Sequence, residues 1–440
     1  MSKRLMSVIA VGLVGSLALA ACSSGDGTGT AAPAPKVTDP ANMSGDITVL
    51  TNRTDLVQDG SFVKYTAAFN KVYPKVKVTI QGVTDYDGEV KTRMNTKDYG
   101  DVLLIPGSVQ KADYVNFFAP LGTQADLSKK YNWTNFTTAD GNTYGLAQNG
   151  NANGAIYNKK VWDAAGVTAL PKTPQEFLTD LKAIKAKGQA IPYYTNHHDG
   201  WPVGQWQGAL GSATCDPKAH DALATQKAPW SAGKELYTID SVLFDAVNQK
   251  LTEPDPTTTN WEGSKAMLAT GKIGFMWLGS WAVKQFKEAA TKAGADPANI
   301  GFMPFPAQVG GKFCSVTGPD LNQAINKHST HQEAARAWLD WFTDKSGYAQ
   351  KEGGLPTLKS GTPPDTLNDF TTLGVKYIEL TQDQAAMVDK IDYAAEIGLA
   401  KPDYRQKIVD VARGAAAGDL NSTFADLNKK WAQGISTAGL

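Results

Sequence analysis

Few residues of this chain are arranged for covalent chemistry. His197-His198-Asp199 is the one histidine cluster. Adjacent residues do not share a helix face, so a metal or proton-transfer role there needs a loop geometry; a polar loop beside Trp201 is the expectation. No Gly-x-Ser-x-Gly elbow, His-Glu-x-x-His pair or Gly-x-x-x-x-Gly-Lys-Ser/Thr loop occurs. Carboxylates are plentiful, but a glycosidase pair is defined by separation in space, not along the chain. The tryptophans say more. Trp201 and Trp206 flank Pro202-Val203-Gly204-Gln205, and Trp277 and Trp281 bracket Leu278-Gly279-Ser280 at a strand-to-helix turn. An indole face can cover the C–H face of a pyranose while polar groups fix its hydroxyls. These four are candidate ligand contacts, although Trp277, inside an apolar run, suits a core equally well.

Polar residues at strand ends enlarge the set: Asn52, Arg53 and Asp55, then Asp85 and Tyr86. In α/β sheets ligands sit at the carboxyl ends of strands. Asn and Asp there can bond hydroxyls without requiring a charged ligand. Gln148-Asn149-Gly150-Asn151-Ala152-Asn153-Gly154 is an unusually polar stretch. It reads as a hinge between domains, with amides facing a cleft.

These residues need a frame. Asp46 to Leu50 alternates as a strand does, Phe62, Tyr65, Phe69 and Val72 recur at helical spacing, and Val76, Val78 and Ile80 form a second strand. A helix over 87–96 and a strand over 102–105 complete a βαβ pattern with a parallel sheet. A second α/β region starts near 155. Thr173-Pro174-Gln175-Glu176 is a capping box before Phe177, Leu181 and Ile184. A strand is expected over 273–278, a helix from Trp281 capped by Ser280, and a strand over 300–305. Ala334, Trp338 and Phe342 share a helix face, and the helical tail over 404–437 breaks near Gly418.

Composition bounds the rest. The 440 residues suggest two or three domains at about 100–200 residues each. Lys and Arg number 43 and Asp and Glu 43, which argues against a nucleic-acid groove. Three cysteines and five histidines leave little for a metal module. Eleven tryptophans on a charge-neutral chain suit a neutral ligand. Lys3-Arg4 and the apolar run to Ala21 form a secretory signal, too short to span a membrane. The run ends Leu19-Ala20-Ala21-Cys22, which resembles the bacterial lipobox and implies lipidation of Cys22 after removal of residues 1–21. The following stretch is too poor in apolar residues to fold and reads as a tether over 22–44.

Lipobox Cys22, Tyr73-Pro74, Asp101 to Ile105, Tyr157-Asn158-Lys159, Pro171 to Pro174 with Phe177, and Gly279-Ser280-Trp281 together resemble extracellular solute-binding proteins of family 1, the carbohydrate receptors of ABC importers. The resemblance runs from Cys22 to the C-terminus. It implies a type II periplasmic-binding-protein-like fold: two α/β lobes, joined by crossover strands, with a ligand cleft between them. Residues 45–150 with 299–322 would form the first lobe, and 151–298 with 323–440 the second. The first crossover would fall near 149–157, and the chain would return to the first lobe near 300–305. Asn52 to Asp55, Asp85, Tyr86, Gln148 to Asn151, Trp281, Asp320 and the loop with Gly354 would face the cleft. Cys215 and Cys314, both outside the cytoplasm, could form a disulfide or remain two buried thiols.

The expected function is a monomeric, non-catalytic receptor that needs no cofactor or metal. It would be held to the outer face of the cell membrane by Cys22 and would deliver a carbohydrate to permease subunits. Two other classes stay open: an anchored glycan hydrolase, and a receptor of the same fold for another solute.

Overall fold

The computed structural model describes residues 39–439 together with Pro35. The signal sequence, Cys22 and all of the tether before Asp39 except Pro35 lie outside the described residues.

Strand β1 (Ser44–Thr51) organises the first half of the molecule. Helix α1 (Ser61–Asn70) follows it and buries Phe62, Tyr65 and Phe69, the helical stripe read in the sequence. Strand β2 (Lys75–Gly82) runs parallel to β1 in an unbroken eight-residue register. Helix α2 (Tyr86–Arg93) leads to β3 (Val102–Leu104), which pairs with β1 on its other edge. This is the expected βαβαβ opening.

Strand β4 (Gly145–Asn158) leaves this half for the other. Helix α3 (Pro174–Lys187) starts on the Thr173 hydroxyl, which accepts the Glu176 N–H at 3.1 Å. Glu176 reaches back one residue past the cap, to the Lys172 N–H at 2.7 Å. Strand β5 (Ile191–Tyr193) and helices α4 (Glu235–Asn248) and α5 (Trp261–Ala269) precede β6 (Ile273–Gly279). Helix α6 (Trp281–Lys292) leads on to β7 (Ile300–Met303). Ser280 does not cap α6. Its backbone already lies in the helical region, and its hydroxyl instead accepts the Ala152 N–H of β4 at 3.0 Å. The carboxyl end of β4 is sandwiched between β6 and β7, antiparallel to both.

Strand β8 (Lys312–Asn326) makes the return. Thr317 to Ala324 pair with β4, and Gln323 to Ile325 continue onto β3. The expected lobe boundaries therefore need correction. Residues 300–303 pair within the second sheet, and the chain re-enters the first only along β8. Helix α7 (Gln332–Lys345) packs Ala334, Trp338 and Phe342 against Phe62, Tyr65 and Phe69, so 323–345 sit with the first half. An amphipathic stripe shows which residues are buried but not what covers them. Strand β9 (Lys376–Glu379) then joins β8 near Cys314.

The tail forms α8 (Asp403–Ala412) and α9 (Leu420–Ala438), broken at Gly418 where φ is +125°. They enclose the second core with α4 and its fully buried ion pair. Arg405 Nε lies 2.9 Å from Asp240 Oδ1, and the Trp230 indole donates to Oδ2 at 2.8 Å. Removing one partner of such a pair strands a charge, at a cost of about 3–5 kcal/mol. Cys215 and Cys314 form a disulfide that fastens the loop before α4 to β8.

That loop has a second fastening. The Glu235 carboxylate accepts the Gly211 and Ala213 N–H groups at 2.7 and 3.1 Å and the Thr214 hydroxyl at 3.0 Å. Burial nevertheless raises its pKa to about 7, from an ordinary value of 4.5. The folded chain thus holds a proton that the unfolded chain releases as pH climbs from 4.5. Stability contributed by Glu235 falls through that window and is fully lost above about 7. Urea unfolding of the wild type and Glu235→Gln from pH 4.5 to 8.5 should show the variant gaining relative stability, by about 3 kcal/mol at most. Parallel curves would remove Glu235 as the titrating group.

Candidate functional site

A cavity of about 660 Å³ lies where the two halves meet. Its first wall follows β1: Asn52, Arg53, Asp55 and Asp59. Its floor is the crossover pair, Asn149 on β4 and Asp320 on β8, which are register partners. Its second wall is one face of α6, Trp281, Lys284, Gln285 and Glu288, at the spacing of a helical stripe. Tyr348 and Glu352 close one flank.

Arg53 organises the charge. Its guanidinium donates to Asp55 through Nε at 2.9 Å and Nη2 at 2.7 Å, to Glu352 through Nη2 at 2.9 Å and to the Tyr348 hydroxyl at 3.0 Å. Burial works against its charge, but Asp55, Tyr348 and Glu352 together hold its pKa above the ordinary value. The same hydrogen bond holds Asp55 below the usual carboxylate range. Burial pushes Asp320 up, against the Asn151 amide, which donates to it at 3.3 Å, and the charge of Arg53. Every cation on this surface thus has an acidic partner, and the surplus groups are hydroxyl-bonding amides and carboxylates.

The floor is backbone-tight. Gly150 and Leu355 exchange both N–H···O bonds, at 2.8 and 2.7 Å. A Cβ on Gly150 would sit 2.0 Å from the Trp133 ring, and one on Gly354 would sit 2.3 Å from the Asn149 amide. Gly354 therefore acts by letting the chain approach Asn149. Gln148 and Asn149 are buried, and neither side-chain oxygen has a partner among the described residues.

The expected aromatic contacts divide into two groups. Trp206 (1% exposed) stacks on Trp277 (2% exposed) at 5.1 Å between centroids. Their indoles donate to the Tyr193 hydroxyl and the Gln205 carbonyl at 2.8 and 2.9 Å. Both belong to the second core, since β6 is buried on both faces and leaves no side for a ligand. Tyr86 is also core: its hydroxyl accepts the Leu104 N–H at 2.7 Å and donates to the Leu104 carbonyl. Asp85, exposed before α2, does not line the cavity. Trp201, 37% exposed, meets Trp281 at 5.7 Å, and both meet Trp261, at 4.9 and 5.8 Å.

Trp261, Tyr348, Glu352 and Lys284 were not anticipated from the sequence. Trp261 did carry a signal. Trp201, Trp261 and Trp281 each occupy the first position of a helix, where the side chain projects back off the end. Asn260-Trp261 therefore has the same reading as Ser280-Trp281. The histidine cluster is structural. His197 is buried 3.2 Å from Asp410, with its pKa lowered by burial, while the Asp199 carboxylate accepts the Trp261 N–H at 2.8 Å. Among the described residues no three His, Cys, Asp or Glu side chains are grouped to hold a metal.

The chain is similar to known proteins over most of its length. Residues 54–349 match the bacterial extracellular solute-binding protein family. A binding protein of an ABC transporter from Bifidobacterium animalis subsp. lactis, solved with mannobiose, is 34% identical. The match covers 92% of this chain and 99% of that one, with a TM-score of 0.81. A manno-oligosaccharide-specific protein from the same organism, solved with mannotriose, is 32% identical over the same shares, again with a TM-score of 0.81. The multiple sugar-binding protein of Streptococcus mutans is 26% identical over 297 residues, 65% of this chain and 68% of that protein.

The two aromatic groups should separate in stability. Trp206→Ala empties a packed core site and should cost about 3–5 kcal/mol in urea unfolding, whereas Trp201→Ala, at the surface, should cost about 1 kcal/mol. Equal costs would contradict the division.

Proposed function

The chain belongs to the bacterial extracellular solute-binding proteins, and on that premise we propose that it is the sugar receptor of an ABC importer. The ligand is a short neutral oligosaccharide. Manno-oligosaccharides are the first class to test, because the relatives at 34% and 32% identity were solved with mannobiose and mannotriose. One observation carries the reading: Trp201, Trp261 and Trp281 cluster beside a cavity whose other surfaces are amides, carboxylates and charge-paired cations. Indole faces suit the C–H face of a sugar, and the polar set suits its hydroxyls.

The two sheet halves act as lobes hinged at β4, β8 and the Gly150–Leu355 contact. Trp281 belongs to one wall and Asn52 to the other, so a sugar touching both favours the closed form. That closed surface is what the permease recognises, and the receptor is a monomer with no catalytic step. Its attachment is through lipid on Cys22. No helix among the described residues is long and apolar enough to cross a membrane.

Titration calorimetry of the chain from residue 36 with mannobiose, mannotriose, other saccharides, amino acids and peptides tests the ligand class. Saturable binding of one saccharide class is expected, with the sugar recovered unaltered. Trp281→Ala should weaken it by about tenfold to a hundredfold. Consumption of the sugar would favour a hydrolase, and response only to peptide would reject the carbohydrate. For the anchor, membrane fractionation in a bacterial host should find the wild type with the membrane and Cys22→Ser released; equal retention would reject lipidation at Cys22.

A further inference from the structure

One flank of the cleft is closed by contact between the two halves. Lys284 Nζ, on α6 of the second half, lies 3.4 Å from Glu352 Oε1 and donates to the Lys351 carbonyl at 3.2 Å. The other Glu352 oxygen accepts Arg53 Nη2 at 2.9 Å. Glu352 follows Tyr348, whose ring packs on Phe342 and Tyr65 of the first half. Its side chain is only 12% exposed. A hydrogen-bonded bridge thus joins the walls, and no sugar ring fits through a gap that short.

The opposite flank differs. On a helix of 3.6 residues per turn, Lys284 and Phe286 point about 200° apart. Phe286 is the residue that meets the Trp261 ring, at 5.9 Å. Trp261 therefore lies on the Phe286 side of Trp281, away from Lys284. On that other side stands Trp201, the most exposed of the three rings.

We propose that the Arg53–Glu352–Lys284 bridge is an end wall, and that the receptor takes saccharides end-on. The terminal unit lies against the wall, between Trp281 and Asp320, and further units run out past Trp281 toward Trp261 and Trp201. Lys284 and Glu352 are then specificity-determining residues that exclude substituents on one chain end. Their charges satisfy each other, so the wall offers a neutral sugar no unpaired ion. This rests on the oligosaccharide reading above.

The test uses mannotriose in three forms: free, with 2-aminobenzamide on the reducing end, and with a 4,6-O-benzylidene acetal on the non-reducing unit. The wild-type chain should tolerate one cap and lose about thirtyfold or more in affinity on the other. The ratio of capped to free affinity is compared within each protein, which cancels any general weakening. Lys284→Ala should narrow that ratio to about fivefold or less, while Lys284→Arg, which rebuilds the bridge, should keep it. Glu352→Gln, which keeps the bulk but weakens the ion pairs, should fall between. Tolerance of both caps, rejection of both, or a ratio unchanged in Lys284→Ala and Glu352→Gln would overturn the end wall. Loss of all free mannotriose binding in both variants would overturn it too, since the residues would then be ligand contacts. Failure of the wild type to bind any saccharide would instead reject the carbohydrate reading, and the end wall with it.

Discussion

Two antiparallel strands carry the architecture. Both β4 and β8 are longer than the sheets they serve, and each spends one end in the first sheet and the other end in or beside the second. Backbone N–H and C=O groups must be paired wherever they are buried. The crossing strands meet that demand by pairing with each other between the two halves, so the junction needs no covering layer. The residues there are small or amide-bearing: Asn149, Gly150, Asn151 and Ala152 face Asp320, Pro319, Gly318 and Thr317. The strand pair that holds the halves together is therefore also the floor of the cleft.

The ladder is broken at one point. Leu321, a residue with a Cβ, sits at φ +54°, and the pairing passes from Asp320 directly to Asn322. Such a conformation costs of order 1–3 kcal/mol and persists only where its surroundings enforce it. Here it lies beside Asp320 and opposite Gln148, whose buried oxygen has no partner among the described residues. The defect is flanked by strong fastenings: Ser280 tied to Ala152, the Gly150–Leu355 pair, and the disulfide at Cys314. The one β8 residue at positive φ thus lies at the junction of the two halves.

The sequence exposed local order well. Periodicity located β1, α1, β2, α7 and α9, because each buries one stripe and exposes another. It could not say which sheet α7 would cover, since Trp338 and Phe342 fit any apolar surface. The return crossover was misplaced for the same reason: the run from Ile300 to Phe305 is apolar enough for either sheet, and only pairing with Tyr157 and Ile156 assigns it. Among tryptophans, residue type carried no information on role. Trp277 and Trp281 are four apart, yet one lies inside a strand buried on both faces and the other starts a helix. Position within the element separates them, and applied to every tryptophan it would have found Trp261. Tyr348 and Glu352 had no local signal, because they reach the cleft through tertiary packing on Tyr65 and Phe342.

The charge pattern follows from the same geometry. In a cleft that opens and closes, as proposed above, an unpaired cation would be hydrated in one state and stripped in the other, and the difference would bias the equilibrium. Arg53 avoids this by keeping Asp55, Glu352 and Tyr348 on its own side of the cleft. Lys284 is the cation that reaches across. Its contact with Glu352 keeps some water at the lysine end, which leaves it weaker than a fully buried pair. That weakness matters. A receptor whose competent form is a minor fraction loses apparent affinity by that fraction, so a weak latch shifts the balance toward closure without fixing it. A stronger, buried pair at this place would hold the empty cleft shut and bar the ligand. On the proposed reading, the weak bridge and the strained, well-fastened floor serve one requirement, which is that the ligand supply the deciding contacts.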